Sequence, residues 1–325
     1  MITLQKYPFQ INSNIINLVA DISELSGQIS INSKLTNSPQ LRRTNRIKTI
    51  YSSLAIEQNT LTIEQVTDVI AGKRILAPPK DIAEVKNAYE IYDCLDSLNP
   101  YDVNDLLHAH GVMVRDLVSD AGEFRTKPVG VVDSNGNILH FGTLPAYVPQ
   151  LVCELLDWVK NDSLHILIKS CVFHYEFELI HPFSDGNGRI GRLWHTLLLS
   201  TWNPMFAWLP IESIIHNKQS EYYEAINMSN NNADSTLFIE FMLGAIKSAL
   251  LDVTESSSAK TDKASNREKV IKEYLISNNV ISNKNVCELF NVSTSTANRI
   301  LNVMLEKGDI IKFKNGKYWA YKLKR

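Results

Sequence analysis

Residues 181–192 read His-Pro-Phe-Ser-Asp-Gly-Asn-Gly-Arg-Ile-Gly-Arg, a run that packs base, acid, cation and bare backbone into a dozen positions. A histidine titrates near neutrality, so His181 can take a proton from a hydroxyl. Asp185 follows four positions later. Gly186 and Gly188 allow a tight turn and close approach of the backbone to a ligand. A helix opened by that turn offers free amides and a dipole that favours an anion. Arg189 and Arg192 lie three apart, on one helical face beside the same anion. A carboxylate next to phosphates suits Mg²⁺, which prefers one or two carboxylates together with phosphate oxygens. These residue types in this order point to nucleotide phosphates held in place with a base at their rim.

The run resembles the Fic family motif, H-x-F-x-[D/E]-G-N-G-R-x-x-R, and matches every specified position: His181, Phe183, Asp185, Gly186, Asn187, Gly188, Arg189 and Arg192. At about 5% per residue type, chance gives such a match about once in ten billion sites. The resemblance implies a mainly α fold, a Fic-type helical bundle with a β-hairpin flap. It also implies transfer of AMP from ATP to a Ser, Thr or Tyr hydroxyl of a target protein or of the chain itself. On that likeness His181 deprotonates the target hydroxyl, and Asp185 holds Mg²⁺ against the α- and β-phosphates. Gly186, Asn187 and Gly188 form an anion hole, with Ile190 and Gly191 in the same ATP-binding turn. Arg189 and Arg192 grip the β- and γ-phosphates, and Phe183 anchors the loop. Two other functions stay open: removal of AMP from a modified target at the same site, and a nucleotide-sensing DNA-binding regulator.

Other segments are similar to family features. Val129–Val132 and Ile138–Phe141 flank Asp133-Ser134-Asn135-Gly136-Asn137, and two apolar runs around Asn-Gly predict a β-hairpin. It resembles the flap that docks a target segment as an added strand, with His140 and Phe141 as docking residues; an ordinary surface loop is the alternative. Gly122-Glu123-Phe124-Arg125 is also family-like. By family position Asn217, Tyr222 and Tyr223 line the adenine pocket, or the tyrosines pack a helix. Ser53-Leu54-Ala55-Ile56-Glu57 resembles the inhibitory motif [S/T]-x-x-x-E-[G/N], with Gln58 departing from its last position. A glutamate at a helix C-terminus sits against the dipole and gains by finding a cation. The resemblance makes Arg192 that cation, which would keep it from the γ-phosphate. A solvated surface glutamate is the alternative.

Helices dominate the elements that must position these residues. Ser38-Pro39 predicts a capped start. Ile47, Ile50, Tyr51 and Leu54 continue at helical spacing, and the helix is expected to end near Glu57–Asn59, because Asn59 tolerates a left-handed cap. Thr62 and Gln65 predict a capping box, with the helix running to Gly72. Further helices are expected over Val148–Val159, from Ser163 to the stop at Pro182, and from the glycine turn onward. Residues 254–266 hold no large apolar side chain and read as a linker. The expected division is an N-terminal helical region 1–100 carrying the inhibitory helix, a catalytic core 101–253, that linker, and a module 267–325.

The module's apolar stripes, the Asn291-Val292-Ser293 turn and two short strands around Asn315-Gly316 resemble a small C-terminal winged helix-turn-helix domain. Such a domain could place Ser295, Thr296, Asn298 and Arg299 in a DNA groove, with Lys312, Lys314 and Lys317 on phosphates. It could equally bind protein or be an appendage. Residues 260–325 carry 14 Lys+Arg against 6 Asp+Glu, a net of +8, while the remainder has a net of −10, an asymmetry that suggests two jobs or two partners. Leu237–Val253 is broken by Glu240, Lys247 and Asp252, and reads as a buried helix rather than a membrane span. There is no secretory signal pattern at the N-terminus. The four cysteines, Cys94, Cys153, Cys171 and Cys287, have no CxxC pair and read as buried free thiols in a cytoplasmic protein. A homodimer is left open.

Overall fold

The computed structural model describes residues 6–32, 38–132, 138–315 and 318–324. The hairpin tip 133–137 and the wing residues Gly316 and Lys317 lie outside them. The fold is mainly helical. In chain order it runs α1 (Ser13–Asn32), α2 (Pro39–Ile56), α3 (Ile63–Ile70), α4 (Pro79–Asp93), α5 (Val103–Met113), β1 (Gly130–Val132), β2 (Ile138–Phe141), α6 (Val148–Asn161), α7 (Ile166–Ile180), α8 (Asn187–Trp202), α9 (Ile211–Asn217), α10 (Gln219–Asn232) and α11 (Thr236–Asn278). Then come β3 (Ile281–Ser282), α12 (Asn283–Phe290), α13 (Thr294–Glu306), β4 (Ile310–Asn315) and β5 (Tyr318–Leu323). The chain divides into two compact units, Met1–Asp252 and Val253–Arg325. Residues 254–266 have helical backbone within α11 rather than irregular structure. They hold no proline or glycine, so nothing in them breaks a helix.

In the first unit α7 and α8 pack on each other at the centre. α7 is buried almost all round, from Leu167 to Phe177, not along one stripe, which is the pattern of a helix with neighbours on every side. α8 is buried from Asn187 to Leu199 with the exception of Gly188. Trp194 is fully buried, and its indole Nε1 donates to the Pro100 carbonyl at 3.0 Å. α7 and α8 meet at residues 181–186, so the two central helices deliver the motif loop to one spot.

α2 lies against α8, α4 and α9. Ser38 caps its start and Pro39 fills its first turn, as the sequence predicts. It ends where expected, with Glu57 as its C-cap, but the left-handed residue differs. Gln58, not Asn59, takes the left-handed conformation, at φ +68°. Gln58 N–H donates to Ala55 O and Asn59 N–H to Leu54 O, both at 3.0 Å, which is a Schellman stop. Asn59 is occupied elsewhere: its side-chain amide donates to Glu84 Oε2 at 2.7 Å and to Asp81 O at 3.2 Å. Thr62 and Gln65 form the expected capping box.

β1 and β2 form the hairpin as an antiparallel pair, with Gly130 opposite Phe141 and Val131 opposite His140. Among the described residues this sheet has two strands, so each has an unpaired outer edge. In the second unit Ile271, Leu275, Ile281, Val286, Ala297, Leu301, Met304, Ile310 and Tyr321 make a core. There α12 turns at Asn291 (φ +49°) into α13, and β4 and β5 follow as a hairpin extended by β3. No helix of the described residues is long and apolar enough to cross a membrane. All four cysteines are free, but only Cys171 is buried; Cys94 and Cys153 are exposed. Cys94 caps the end of α4, and Cys153 lies off the buried stripe of Val148, Val152, Leu155, Leu156 and Val159 on α6.

Because a side chain in the left-handed region costs energy that glycine avoids, Gln58→Gly is expected to stabilise the first unit by about 0.5–1 kcal/mol. A rise in the thermal midpoint is the expected reading.

Candidate active site

His181 ends α7 in a left-handed conformation, φ +50°, with its N–H on Phe177 O. Its ring Nδ1 faces the Glu178 carbonyl at 3.3 Å. A carbonyl only accepts, so this contact puts the proton on Nδ1 and the ring's lone pair on Nε2. Arg125 fixes the backbone here. Its Nε donates to His181 O at 2.6 Å, Nη1 to Lys127 O at 2.9 Å, and Nη2 to Thr143 O at 2.5 Å and Ile180 O at 3.2 Å. One buried guanidinium thus ties both ends of the hairpin segment to the end of α7.

The loop between the helices is braced from below. Phe183 is fully buried, as expected of an anchor, and stacks on His110 at 3.6 Å between ring centres. Gly122 N–H donates to His110 Nδ1 at 2.9 Å, so Nε2 carries the proton and donates to Asp185 O at 3.0 Å. Burial holds the His110 pKa below its ordinary value, which keeps this neutral form. The Asn187 side chain clasps the Phe183 backbone in both directions, each bond 2.9 Å. Asn187 is therefore a loop brace; only its backbone remains for an anion hole. Gly186 sits at φ +88° with Val114 and His110 where a Cβ would go. Glycine is required there by both conformation and space.

The charged residues are already engaged. Arg192 is buried, with 1% of its side chain exposed. Its Nε donates to Ser53 Oγ at 3.1 Å, and its Nη2 to Ser53 O at 2.9 Å and Glu57 Oε1 at 2.7 Å. Burial opposes its charge, yet the charge and hydrogen bond of Glu57, together with Tyr222 and Tyr223, raise its pKa. A Cβ on Gly188 would collide with the same Glu57 oxygen. The carboxylate thus lies over the N-terminal turn of α8, where helix amides and dipole favour an anion. Arg189, also buried, donates from Nη2 to Asp185 Oδ1 at 2.7 Å and from Nη1 to Glu84 Oε1 at 3.3 Å. It is held between two carboxylates rather than presented to solvent. Burial works against the Asp185 charge, but Arg189 and the Gly186 amide bring its pKa below the usual range. Both bonds use Oδ1, and 47% of the side chain is exposed. Asp185 can therefore offer an oxygen to Mg²⁺. Among the described residues no group of three or more His, Cys, Asp or Glu gathers to hold a metal alone. A metal here would have to complete its shell with phosphate and water.

The expected adenine-pocket residues part company. Asn217 is exposed at the end of α9. Tyr223 is partly exposed, while Tyr222 is core: its hydroxyl lies 3.0 Å from His174 Nε2 and its ring packs on Tyr223, Phe238 and Phe241. Apolar neighbours on α11 win that ring. Beneath Arg192 lies a buried polar group that sequence reasoning missed: Glu178, His174 and His195. Burial pushes the Glu178 carboxyl up to about 8, Arg192 opposing and Glu57 adding to the shift. Burial also lowers His174, and takes His195 down to about 3. Glu84 and His110 were missed as well, whereas Arg125 belongs to the Gly122–Arg125 run already noted as family-like. Of the two missed, only Glu84 carried a signal, a carboxylate in the core-facing register of Asp81, Val85, Ala88 and Ile91.

Helical layers that bring a glycine turn, two arginines and a histidine to one helix junction define a Fic-type domain, and the Fic/DOC family matches residues 100–199. A crystal structure of a Fic family protein from Desulfovibrio desulfuricans G20 is 38% identical, covers 98% of each chain and superposes with a TM-score of 0.77. The chain belongs to the Fic family. Among curated relatives, protein adenylyltransferase fic-1 of Caenorhabditis briggsae is 28% identical over 60% of this chain and 39% of its own. Protein adenylyltransferase Fic of Nematostella vectensis is 29% identical over 59% and 45%. The chain spans less than half the length of these relatives.

Glu178 faces His174, Tyr222, Arg192 and Glu57. With a folded pKa near 8 against about 4.5 unfolded, it stays protonated while the unfolded chain ionises, so its stabilising contribution is full below 4.5 and is lost as pH rises towards 8. Glu178→Gln should match the native midpoint at pH 4.5 and exceed it at pH 8.5, in thermal melts across that range.

Proposed function

We propose that the chain is a protein adenylyltransferase restrained by its own Glu57. The observation that carries this reading is the Glu57 carboxylate on Arg192, over the N-terminal turn of α8. The site has the charge of a phosphate cradle, and an anion from the same chain sits in it. With Glu57 withdrawn, Arg192 and the α8 amides are free for the phosphates of ATP. His181 Nε2 takes the proton of a target hydroxyl as its oxygen bonds to the α-phosphorus. The bond from that phosphorus to the bridging oxygen breaks, and pyrophosphate leaves. Asp185 is the residue to hold Mg²⁺, which would neutralise phosphate charge. Rate enhancement rests on positioning and charge stabilisation. The hairpin's open edge suits a target segment added as a strand, with His140 and Phe141 in β2. The name adenylyltransferase carried by the curated relatives supports the same reaction.

A second reading, removal of AMP from a modified protein, is favoured by one feature. Glu57 bonds Arg192 through Oε1 alone and keeps 34% of its side chain exposed, so it can also orient water. The second unit suits nucleic acid by charge. Ser295, Asn298 and Arg299 are exposed on α13 and Thr296 is half-buried; Asn298 accepts a bond from Asn283 at 2.6 Å, and Lys312 stacks over Trp319 at 4.6 Å. A cytoplasmic setting fits four unpaired thiols.

Labelled ATP incubated with the protein and lysate tests the first reading. Glu57→Gly should raise incorporation by tenfold or more, since a restraint of about 1.4 kcal/mol already gives tenfold. His181→Ala should abolish it. Equal labelling by native protein and Glu57→Gly removes the restraint, and release of AMP from a pre-labelled target by native protein favours the second reading. For the C-terminal unit, a mobility-shift titration at two salt concentrations should show binding that weakens steeply with salt.

A further inference from the structure

We propose that Glu84 is a positioning residue that serves two parts of the site at once: it frees Asp185 for a metal and it mounts the end of the helix carrying Glu57. This rests on the reading of Asp185 and Glu57 given above. Glu84 stands on α4, outside the motif, with 6% of its side chain exposed. Its two oxygens go to different places. Oε1 accepts from Arg189 Nη1 at 3.3 Å, and Oε2 accepts from Asn59 Nδ2 at 2.7 Å. Lys80, one turn earlier and largely exposed, lies 3.9 Å from Oε1. A continuous chain of bonds therefore runs Asn59–Glu84–Arg189–Asp185.

Each half has a physical consequence. A buried guanidinium needs a counter-ion, and removing its only partner is costly. With Glu84 in place, Arg189 keeps a carboxylate when Asp185 turns to Mg²⁺. Without it, Asp185 is the sole carboxylate left to Arg189, and the metal must compete for it. At the other end, Asn59 directly follows the left-handed Gln58 and supplies the N–H that closes the stop of α2 on Leu54 O. The Asn59 side chain is held by Glu84 Oε2 and Asp81 O, and its own Oδ1 accepts from Leu61 N–H at 3.1 Å. Glu57 sits two residues before it, so the grip on Asn59 sets where the Glu57 carboxylate can reach. α4 thereby links a carboxylate aimed at the metal to a carboxylate aimed at Arg192.

Two readings test this on the full chain. In the Glu57→Gly background, binding of a non-hydrolysable ATP analogue is titrated with Mg²⁺ by calorimetry. Adding Glu84→Gln should raise the half-saturating Mg²⁺ by tenfold or more, the usual loss on removing an outer partner of a metal ligand being about 10–100-fold. Analogue affinity at saturating Mg²⁺ should be nearly kept. In the otherwise native protein, hydrogen exchange at the Gln58 and Asn59 amides should quicken in Glu84→Gln and in Asn59→Ala, while Asn59→Ala leaves the Mg²⁺ dependence alone. An unchanged Mg²⁺ titration, or unchanged exchange at those amides, in folded Glu84→Gln overturns the proposal. If Glu84→Gln does not fold, Glu84→Asp reads the same two quantities with the charge kept and the reach shortened. If Glu57→Gly binds no nucleotide at all, the adenylyltransferase reading fails instead, and the exchange measurement decides the role of Glu84 by itself.

Discussion

A buried arginine must be neutralised, and the fold is arranged around the way Arg192 is. Its position on α8 is fixed by the burial of nearly every neighbour on that helix, so the guanidinium cannot retreat to water. Two kinds of anion can serve it: a carboxylate from the same chain or a phosphate brought by a ligand. The first is in place. Glu57 ends a helix whose dipole gives its charge no help, and it gains from Arg192 what its own helix denies it. In the proposed function, competition between two anions for one buried cation is what turns a structural requirement into a restraint on chemistry.

The remaining parts of the site make that competition sharp by removing slack elsewhere. Arg125 gathers four carbonyls from both ends of the hairpin segment and the end of α7. His110 and Asn187 hold the motif loop through the Phe183 and Asp185 backbone. None of these groups needs to touch a substrate. They keep the His181 lone pair, the Asp185 carboxylate and the helix amides in fixed relation, so that binding energy is not used to order the loop.

Much of this was legible in the residues. The motif run, the capped start of α2, the capping box of α3 and the hairpin strands all rest on short-range rules: turn chemistry, proline, glycine and periodicity. The left-handed residue at the stop of α2 shows the limit of such rules. Asn59 is the better left-handed residue by itself, but Glu84 and Asp81 hold its amide, and Gln58 takes the strained position instead. Tyr222 likewise went to the core because Phe238 and Phe241, from a distant part of the chain, supply a better environment than a pocket. Residues 254–266 read as a linker because they have nothing to bury, although nothing in them opposes a helix. Long-range partners are what the sequence could not display, and Glu84, Arg125 and His110 act only through such partners.

The central claim is that Glu57 stands where the outer phosphates of a nucleotide belong. Calorimetric affinities of ATP and of AMP, compared between the native protein and Glu57→Gly, address it directly. The account predicts that ATP binds tighter by roughly tenfold once Glu57 is gone, a gain of about 1.4 kcal/mol, while AMP, which lacks those phosphates, is unchanged. Equal gains for both ligands, or none for either, would contradict it.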